Sequence, residues 1–313
     1  MTRDVVFVMD DLAEINPVKD TTFALMLEAQ RRGLSVACCG ESDLRLEGGA
    51  CMAGLRRVTL HDRSRDWFAI EAREDRALGR GDLILMRCDP PVDDTYLYAT
   101  MMLDRAAAAG ARVVNRPEAL RNFNEKLAIT RFPDLITATT VTSDTGRLRD
   151  FVHQHGQAVV KPLDGMGGRG IFMAGSKDPN LNVILETLTD HGTQPAMAQE
   201  YLPRISEGDN RVLIVHGRPV PFVLARIPGA SDFRGNLARG GRGEGREIHA
   251  DERRIAERVG PFLLDNGVEF AGIDVIGDRL TEINVTSPTC VRELDARFEI
   301  NISGMLFDHI ADE

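Results

Sequence analysis

The chain has 313 residues, more than one hydrophobic core usually spans, so two or three lobes around a cleft are expected. Its 43% hydrophobic and 27% charged residues are an ordinary globular mixture, and no apolar run approaches the ~18 residues of a membrane span. A net charge of -10 argues against a dedicated nucleic-acid binder, which needs a positive surface against phosphates.

The opening MTRDVVFVMDD meets acids directly after a short apolar stretch and offers no small-residue cleavage site, so it reads as a first strand and export is not expected. Cys38, Cys39, Cys51, Cys88 and Cys290 are odd in number and show no CxxC spacing, which fits a reducing cytoplasm better than a disulfide framework or a zinc site. Seven scattered histidines show no paired spacing with acids and are read as structural or surface groups.

In chain order, Val5 to Met9 reads as a strand, Thr21 to Arg32 as an amphipathic helix closed by Gly33, and Ser35 to Cys38 as a second strand. Gly48-Gly49 suggests a hairpin turn, Leu83 to Met86 a buried strand, Tyr96 to Ala109 a helix ended by Gly110, and Arg112 to Val114 another strand. The expected fold class is α/β, with residues 1–122 forming an open, mostly parallel domain. Residues 123–202 read as a small α+β lobe. It has a helix around Lys126, strands at Ala158 to Lys161, Ile171 to Ala174 and Ala196 to Glu200, and a helix at Leu181 to His191. Residues 203–313 form a third lobe, with strands Arg211 to Val215 and Val220 to Arg226, a flexible loop at 227–245, a helix at Asp251 to Asn266 and a hairpin at Ala271 to Val285.

Three segments carry chemistry. KPLDGMGGRG has glycines at dinucleotide-fingerprint spacing, but that fingerprint must open a helix, and here the apolar Ile171-Phe172-Met173 follows. Strand-turn-strand fits better. The turn is then either an ordinary hairpin or a loop whose backbone N–H groups cover phosphates, with Lys161 neutralising charge. AGIDVIGDRLTEINV alternates strictly. A turn centred on Asp278 pairs position 276 with 280, 274 with 282 and 272 with 284, so Ile273, Val275, Ile283 and Val285 share an apolar face. Asp274, Glu282 and Asn284 share the other. Two carboxylates at ~5 Å repel by about 3 kcal/mol at an effective dielectric of 20, so a hard divalent cation bound by oxygen ligands is expected, unless the acids pair with arginines or sit protonated. IPGASDFRGNLARGGRGEGR holds positive charge in a glycine-rich stretch with one aromatic, which suits a lid or a solvated loop better than a nucleic-acid platform. Arg226, Arg234 and Arg242 could clamp carboxylates bidentately as such a lid closes. No nucleophile elbow of the GxSxG kind is present.

These segments, in this order, resemble the ATP-grasp ligases. ILMRCDPP, VNRPEALRNFNEKL, VVKPLDGMGG, MAQEYLP, PVPFVLARIPG, RGNLARGGRGE and GDRLTEINVTSPTC narrow the resemblance to the bacterial glutathione synthetase family, from Val8 to about Leu306. The resemblance implies an ATP-grasp architecture whose last two lobes sandwich the nucleotide. It implies ATP-dependent ligation of γ-glutamylcysteine and glycine through an acyl phosphate, with Mg²⁺ as cofactor, Mn²⁺ as a substitute, and no protein nucleophile. By the same resemblance Lys126, Lys161, Gly165, Gly167 and Gly168 contact phosphates. The backbone of Glu200, Tyr201 and Leu202 holds adenine, and Asp209 reaches the ribose. Asp274, Glu282 and Asn284 match the metal positions. Arg87, Arg211, Arg226, Arg234, Asn236, Arg242 and Arg292 match positions around the dipeptide, the lid and the transferred phosphoryl group. Two departures stand out: Cys88 replaces a longer polar residue, and Glu200 replaces a common amide. The family also implies a homo-oligomer, a tetramer, working in the cytoplasm without nucleic-acid or membrane partners. The alternatives are another ATP-grasp carboxylate–amine ligase and a nucleotide-binding protein without turnover.

Overall fold

The computed structural model describes residues 4–229, 235 and 240–311, which form three sheets and their covering helices. The first layer contains β1 (Asp4–Val8), α1 (Thr21–Arg31), β2 (Val36–Cys39), β3 (Leu44–Glu47), β4 (Ala50–Leu60), β5 (Phe68–Ala77), β6 (Asp82–Met86), α2 (Asp94–Ala108) and β7 (Arg112–Val114). Strands β2, β1, β6 and β7 are parallel neighbours, and β4 extends this sheet antiparallel to β2 while pairing with β3 and β5. All five residues of β1 are buried, as expected of a parallel strand covered on both faces. Asp20 caps α1 by accepting the Phe23 N–H at 2.6 Å, and Gly33 at φ +76° ends the helix in the left-handed region. The long β4–β5 ribbon is the element the sequence concealed. FAIEAREDRA is mostly exposed and charged, so it lacks the apolar alternation that marks a strand, and its pairing with β4 holds it.

The second layer contains α3 (Pro117–Asn122), β8 (Thr139–Thr142), α4 (Thr145–His155), β9 (Gln157–Pro162), β10 (Phe172–Gly175), α5 (Leu181–Leu188) and β11 (Ala196–Glu200). Its sheet is antiparallel in the order β10-β9-β11-β8. The α-helix expected around Lys126 is instead a 3₁₀ helix at Leu127–Arg131, with Lys126 at its N-cap. The Asn124 carboxamide oxygen accepts the N–H groups of Lys126 at 3.1 Å and Leu127 at 3.0 Å, which tightens the chain into that turn.

The third layer contains β12 (Asp209–Val215), β13 (Arg218–Ile227), β14 (Arg242–Glu247), α6 (Ala250–Asp265), β15 (Phe270–Ile276), β16 (Arg279–Asn284), α7 (Val291–Phe298) and α8 (Ile302–Ile310). The sheet runs β14-β13-β12-β15-β16, all antiparallel. The far end of the expected loop at 227–245 is therefore ordered, since β14 begins at Arg242 and its backbone pairs with β13. Helices α7 and α8 return to the first layer: Arg32 donates to Asp308 at 2.6 Å and to the Gly304 carbonyl at 2.9 Å, and Asn301 donates to Glu28 at 3.1 Å. Among the described residues no helix is long and apolar enough to cross a membrane.

The hairpin of β15 and β16 pairs Gly272 with Asn284 and Asp274 with Glu282, as the alternation demands. Nearer the turn the expected register is corrected: Val275 faces Leu280 and Ile276 faces Arg279, leaving a two-residue turn at Gly277-Asp278 and a bulge beside Asp274. Gly277 at φ +62° supplies the turn backbone, and the extra residue, Thr281, donates its hydroxyl to the Asp274 carbonyl at 3.0 Å. Ile273, Val275, Ile283 and Val285 are all fully buried, which is why the bulge forms instead of a slip that would expose them.

Candidate active site

A cavity of about 520 Å³ lies between the layers and receives the charged residues of all three. From the second layer, β9 delivers Lys161 to it, and the chain then turns through Gly165, Gly167 and Gly168 before β10. Gly167 and Gly168 sit at φ +58° and +76°. A Cβ at Gly165 would come within 2.8 Å of the Arg169 carbonyl, so only glycine fits this close backbone approach. Lys126 donates its ammonium to the Gly165 carbonyl and so braces the turn from beneath.

Lys161 is buried, with Nζ at 3.5 Å from Glu282 Oε1; Lys126 Nζ stands 4.0 Å from the same oxygen. Burial pushes the Lys161 ammonium below its usual range, and the Glu282 carboxylate opposes that shift. Two cations thus share one carboxylate at the cavity wall.

The Asp274 carboxylate sits one step deeper. Arg211 donates to it bidentately at 2.5 and 3.0 Å, and Arg226 Nη2 approaches at 2.9 Å. The Asn284 amide adds a donor at 3.3 Å. Burial would raise the Asp274 carboxyl, but Arg211 and Arg226 overcome that and hold it well below the carboxylate range. Four N–H donors therefore address Asp274, one on Oδ1 and three on Oδ2. Glu282, by contrast, is 21% exposed and lines the cavity, where among the described residues its ion-pair partners are Lys161 at 3.5 Å and Lys126 at 4.0 Å. A hard cation therefore fits the oxygen donors of Glu282 and Asn284, which line the cavity, with Asp274 anchoring the guanidiniums behind them. Among the described residues no three His, Cys, Asp or Glu side chains gather as a metal cluster, so such a site would complete its coordination with water or substrate oxygens.

Asp209, at the start of β12, accepts from Arg226, yet its Oδ1 is buried without a hydrogen-bond partner. Burial raises its carboxyl to about 6 against the pull of Arg226. Glu125 is pushed up to about 7 by burial and by the charge of Glu282, and it accepts the Thr286 hydroxyl at 2.9 Å. Glu200, Tyr201 and Leu202 line the cavity at the end of β11, where Thr137 donates to the Glu200 carboxylate at 2.7 Å.

The structure distributes the remaining arginines elsewhere. Arg87 is buried outside the cavity lining, donating to Thr22 at 3.2 Å and to the carbonyls of Thr286 and Pro288 at 3.4 and 3.1 Å. Arg292 pairs with the exposed Asp62 at 2.7 Å and lies over the Phe23 ring. Arg242 is exposed on β14 and pairs with Glu244 at 2.6 Å. Arg234 and Asn236 lie outside the described residues. Cys88 is buried against a second cavity near Asp10 and Glu41, so its departure from the family string does not face the first. Sequence reasoning missed Asn16, Lys19, Asp20, Asp89, Glu125 and Glu293, all of which line the main cavity. Asp20 carries an N-cap signal before α1, but nothing local says that this end of the first layer meets the hairpin.

Comparison with known proteins places this geometry among relatives. The model of the prokaryotic glutathione synthetase N-terminal domain matches residues 4–121, and that of the prokaryotic glutathione synthetase ATP-grasp domain matches residues 125–299. A glutathione synthetase of Xanthomonas campestris pv. campestris is 53% identical over 310 residues, covering 99% of this chain and 98% of the relative. One of Escherichia coli (strain K12) is 50% identical over 303 residues, covering 97% and 96%. The crystal structure of the D-cycloserine synthetase DcsG superposes with a TM-score of 0.67 at 13% identity, covering 98% of this chain and 99% of that one. The ATP-grasp ligase PsnB, complexed with a phosphomimetic variant of its minimal precursor, Mg and ADP, superposes with a TM-score of 0.62 at 20% identity, covering 99% and 98%. At such identities these two structures establish the ATP-grasp fold.

Proposed function

The chain belongs to the prokaryotic glutathione synthetase family, and from that premise we infer how its cleft divides the work. It is an ATP-dependent ligase of glutathione synthesis. In our reading the phosphates of ATP lie against Lys126, Lys161 and the turn at Gly165, Gly167 and Gly168. The base lies along Glu200, Tyr201 and Leu202, and the ribose meets Asp209. The free Oδ1 of Asp209, raised toward protonation, suits a partner that can both donate and accept, as a hydroxyl does.

Glu282 and Asn284 would hold Mg²⁺ or Mn²⁺, with Asp274 behind them; that PsnB binds Mg with ADP supports the use of magnesium with a nucleotide in this fold. When bound, the metal supplies positive charge to the transferring phosphoryl group. The cysteinyl carboxylate of γ-glutamylcysteine attacks the γ-phosphorus of ATP, giving an acyl phosphate and ADP. The glycine amine then attacks the acyl carbon, phosphate leaves, and the amine loses its proton. Arg211 and Arg226 are prepared for both steps, because Asp274 and Asp209 fix their guanidiniums in a buried, preorganised position facing the cavity. Arg234, Asn236 and Arg242 would join from the segment following β13 when substrates are bound.

The observation that carries this reading is the convergence, in one cavity, of Lys161, Glu282 and the fixed pair Arg211 and Arg226. We assign the reaction to the cytoplasm and to a homotetramer. Phosphate release with ATP, γ-glutamylcysteine and glycine, each omitted in turn, tests the reading, together with the mass of the product. The expected result is phosphate and glutathione only with all three present. Equal phosphate release without glycine would overturn the ligase assignment, and a product of another mass would overturn the substrate pair.

A further inference from the structure

A second cavity, of about 740 Å³, opens in the first layer and shares no lining residue with the first. It lies where β1, β2 and β6 end, and β1 has β2 on one side and β6 on the other. At such a switch point of an open parallel sheet the connections leave in opposite directions, and the crevice between them is where ligands bind. The wall between the cavities is thin. Cys88 lines the second, the next residue Asp89 lines the first, and the Asp89 N–H donates to Asp10 at 3.1 Å.

On β4 and β5 the second cavity is walled by two arginines directly opposite each other in the ladder, Arg56 and Arg73. Like charges in register across a strand pair repel, and the other arginines of this ribbon pair with carboxylates instead. Arg45 grips Asp75 with two bonds of 2.7 Å, and Arg57 donates to Asp4 and Glu74 at 2.9 Å. Arg56 has one such bond, to Asp11 at 3.1 Å, while its Nε is buried without a hydrogen-bond partner. Among the described residues Arg73 has no ion-pair partner. One bridging oxyanion would satisfy the orphan donor and relieve the repulsion together. The strand ends carry the opposite sign, since Asp10 and Glu41 line the same cavity and burial raises the Glu41 carboxyl.

We propose that the second cavity binds a small amphoteric molecule, an amino acid or short peptide, whose carboxylate bridges Arg56 and Arg73 and whose ammonium meets Glu41 and Asp10. A plain anion would leave the two carboxylates without a cation, and a plain cation would leave the two arginines opposed. The volume is ample for a molecule of this class. The site is separate from the catalytic cleft and does not depend on the function proposed there. Arg73 is exposed and Glu41 is half-buried, so replacing either should leave the fold intact.

Calorimetric titration of the full chain with glycine and with glutathione, in separate arms, tests the site. Acetate and phosphate serve as anions that lack the ammonium. Glutathione also fits the catalytic cleft as its product, so the second site is read as the equivalent that a substitution in the second cavity removes. In at least one arm the wild-type chain should bind an equivalent that Arg73→Gln weakens roughly ten- to hundredfold and Glu41→Gln about tenfold, with thermal midpoints near that of the wild-type chain. The arm in which it appears tells an amino-acid site from a peptide site. The same stoichiometry and affinity in the wild-type chain and both variants, in both arms, would overturn the proposal. Acetate or phosphate binding there as tightly as the amphoteric ligand would make the cavity a simple anion site and overturn it too. If the catalytic equivalent of glutathione disappears together with the second, the substitutions act through the fold and the proposal falls.

Discussion

Two pairs of carboxylates stand on neighbouring strands of this molecule, and their surroundings differ. In the first layer Asp4 on β1 lies beside Asp82 on β6, both buried. Arg57 and Arg76 donate to Asp4 at 2.9 and 2.7 Å, Arg76 grips Asp82 at 2.9 and 3.0 Å, and the Gly79 N–H adds a bond at 2.9 Å. Each of the four oxygens has a donor, and the cluster lines neither cavity. In the third layer both oxygens of Asp274 also have donors, but its partner Glu282 opens on the cavity with, among the described residues, long pairs to Lys161 and Lys126, and the neighbouring Asp209 keeps an unpartnered oxygen. A closed pair contributes to the fold, whereas an open one holds binding capacity in reserve. The lesson is that a carboxylate pair is read by its unfilled acceptors and not by its spacing.

Breaking the closed pair should give the largest effect, and on stability alone. Asp4→Ala leaves Arg57 and Arg76 short of a buried partner and should cost about 3 to 5 kcal/mol in denaturant unfolding, with kcat/KM unchanged wherever the variant is folded. A loss of activity in the folded variant would erase the distinction between the two pairs. Glu282→Gln should do the reverse. Ligase turnover should fall about 10²- to 10³-fold, as when a preorganised charge contact is lost, while the thermal midpoint stays near that of the wild-type chain. Near-normal turnover at saturating magnesium would remove Glu282 from the metal site.

Lys161→Met sharpens the contrast from the cationic side. Charge-assisted contacts are worth about 1.5 to 3 kcal/mol, so calorimetry should find ATP binding weakened roughly ten- to hundredfold and dipeptide binding much less affected. Unchanged ATP affinity would make Lys161 a partner of Glu282 and nothing more. The smallest effect concerns Glu125. Its carboxyl is raised to about 7 from an ordinary value of 4.5, so between these pH values the folded chain binds more protons than the unfolded one. Stability from this group therefore falls as pH rises from about 4.5 to 7, and the loss is complete above that. Glu125→Gln should raise stability on the order of 2 kcal/mol at about pH 8 and change little near pH 4, read by thermal melts across that range. A variant with the wild-type pH dependence would show that Glu125 is solvated.

Much of the site was legible because its chemistry is local. The alternation of AGIDVIGDRLTEINV is enough to pair Asp274 with Glu282, since a slip would expose four apolar side chains that are fully buried. The glycine turn was legible for a similar reason, because an apolar strand and not a helix follows it. The bulge at Thr281 was not, because alternation counts residues and cannot detect one left unpaired. The charged β5 and the strand β14 inside a glycine-rich stretch were hidden as well. Their pairing comes from β4 and β13 and not from their own side chains.

By itself the sequence determined the apolar strands and helices it marks, their buried faces and the pairing of the carboxylates in the hairpin, because each depends on neighbours within a few residues. Which arginines face the cavity was decided by the tertiary structure. Arg87, Arg211, Arg226 and Arg292 look alike in the chain, yet Arg87 is spent on backbone carbonyls and Arg292 on Asp62, while β12 and β13 bring Arg211 and Arg226 together on Asp274. That Lys19 and Glu293, 274 positions apart in sequence, line the same cavity was decided in the same way. A long side chain is assigned by the partners that folding places within hydrogen-bond reach, and those partners come from strands and helices far away in sequence.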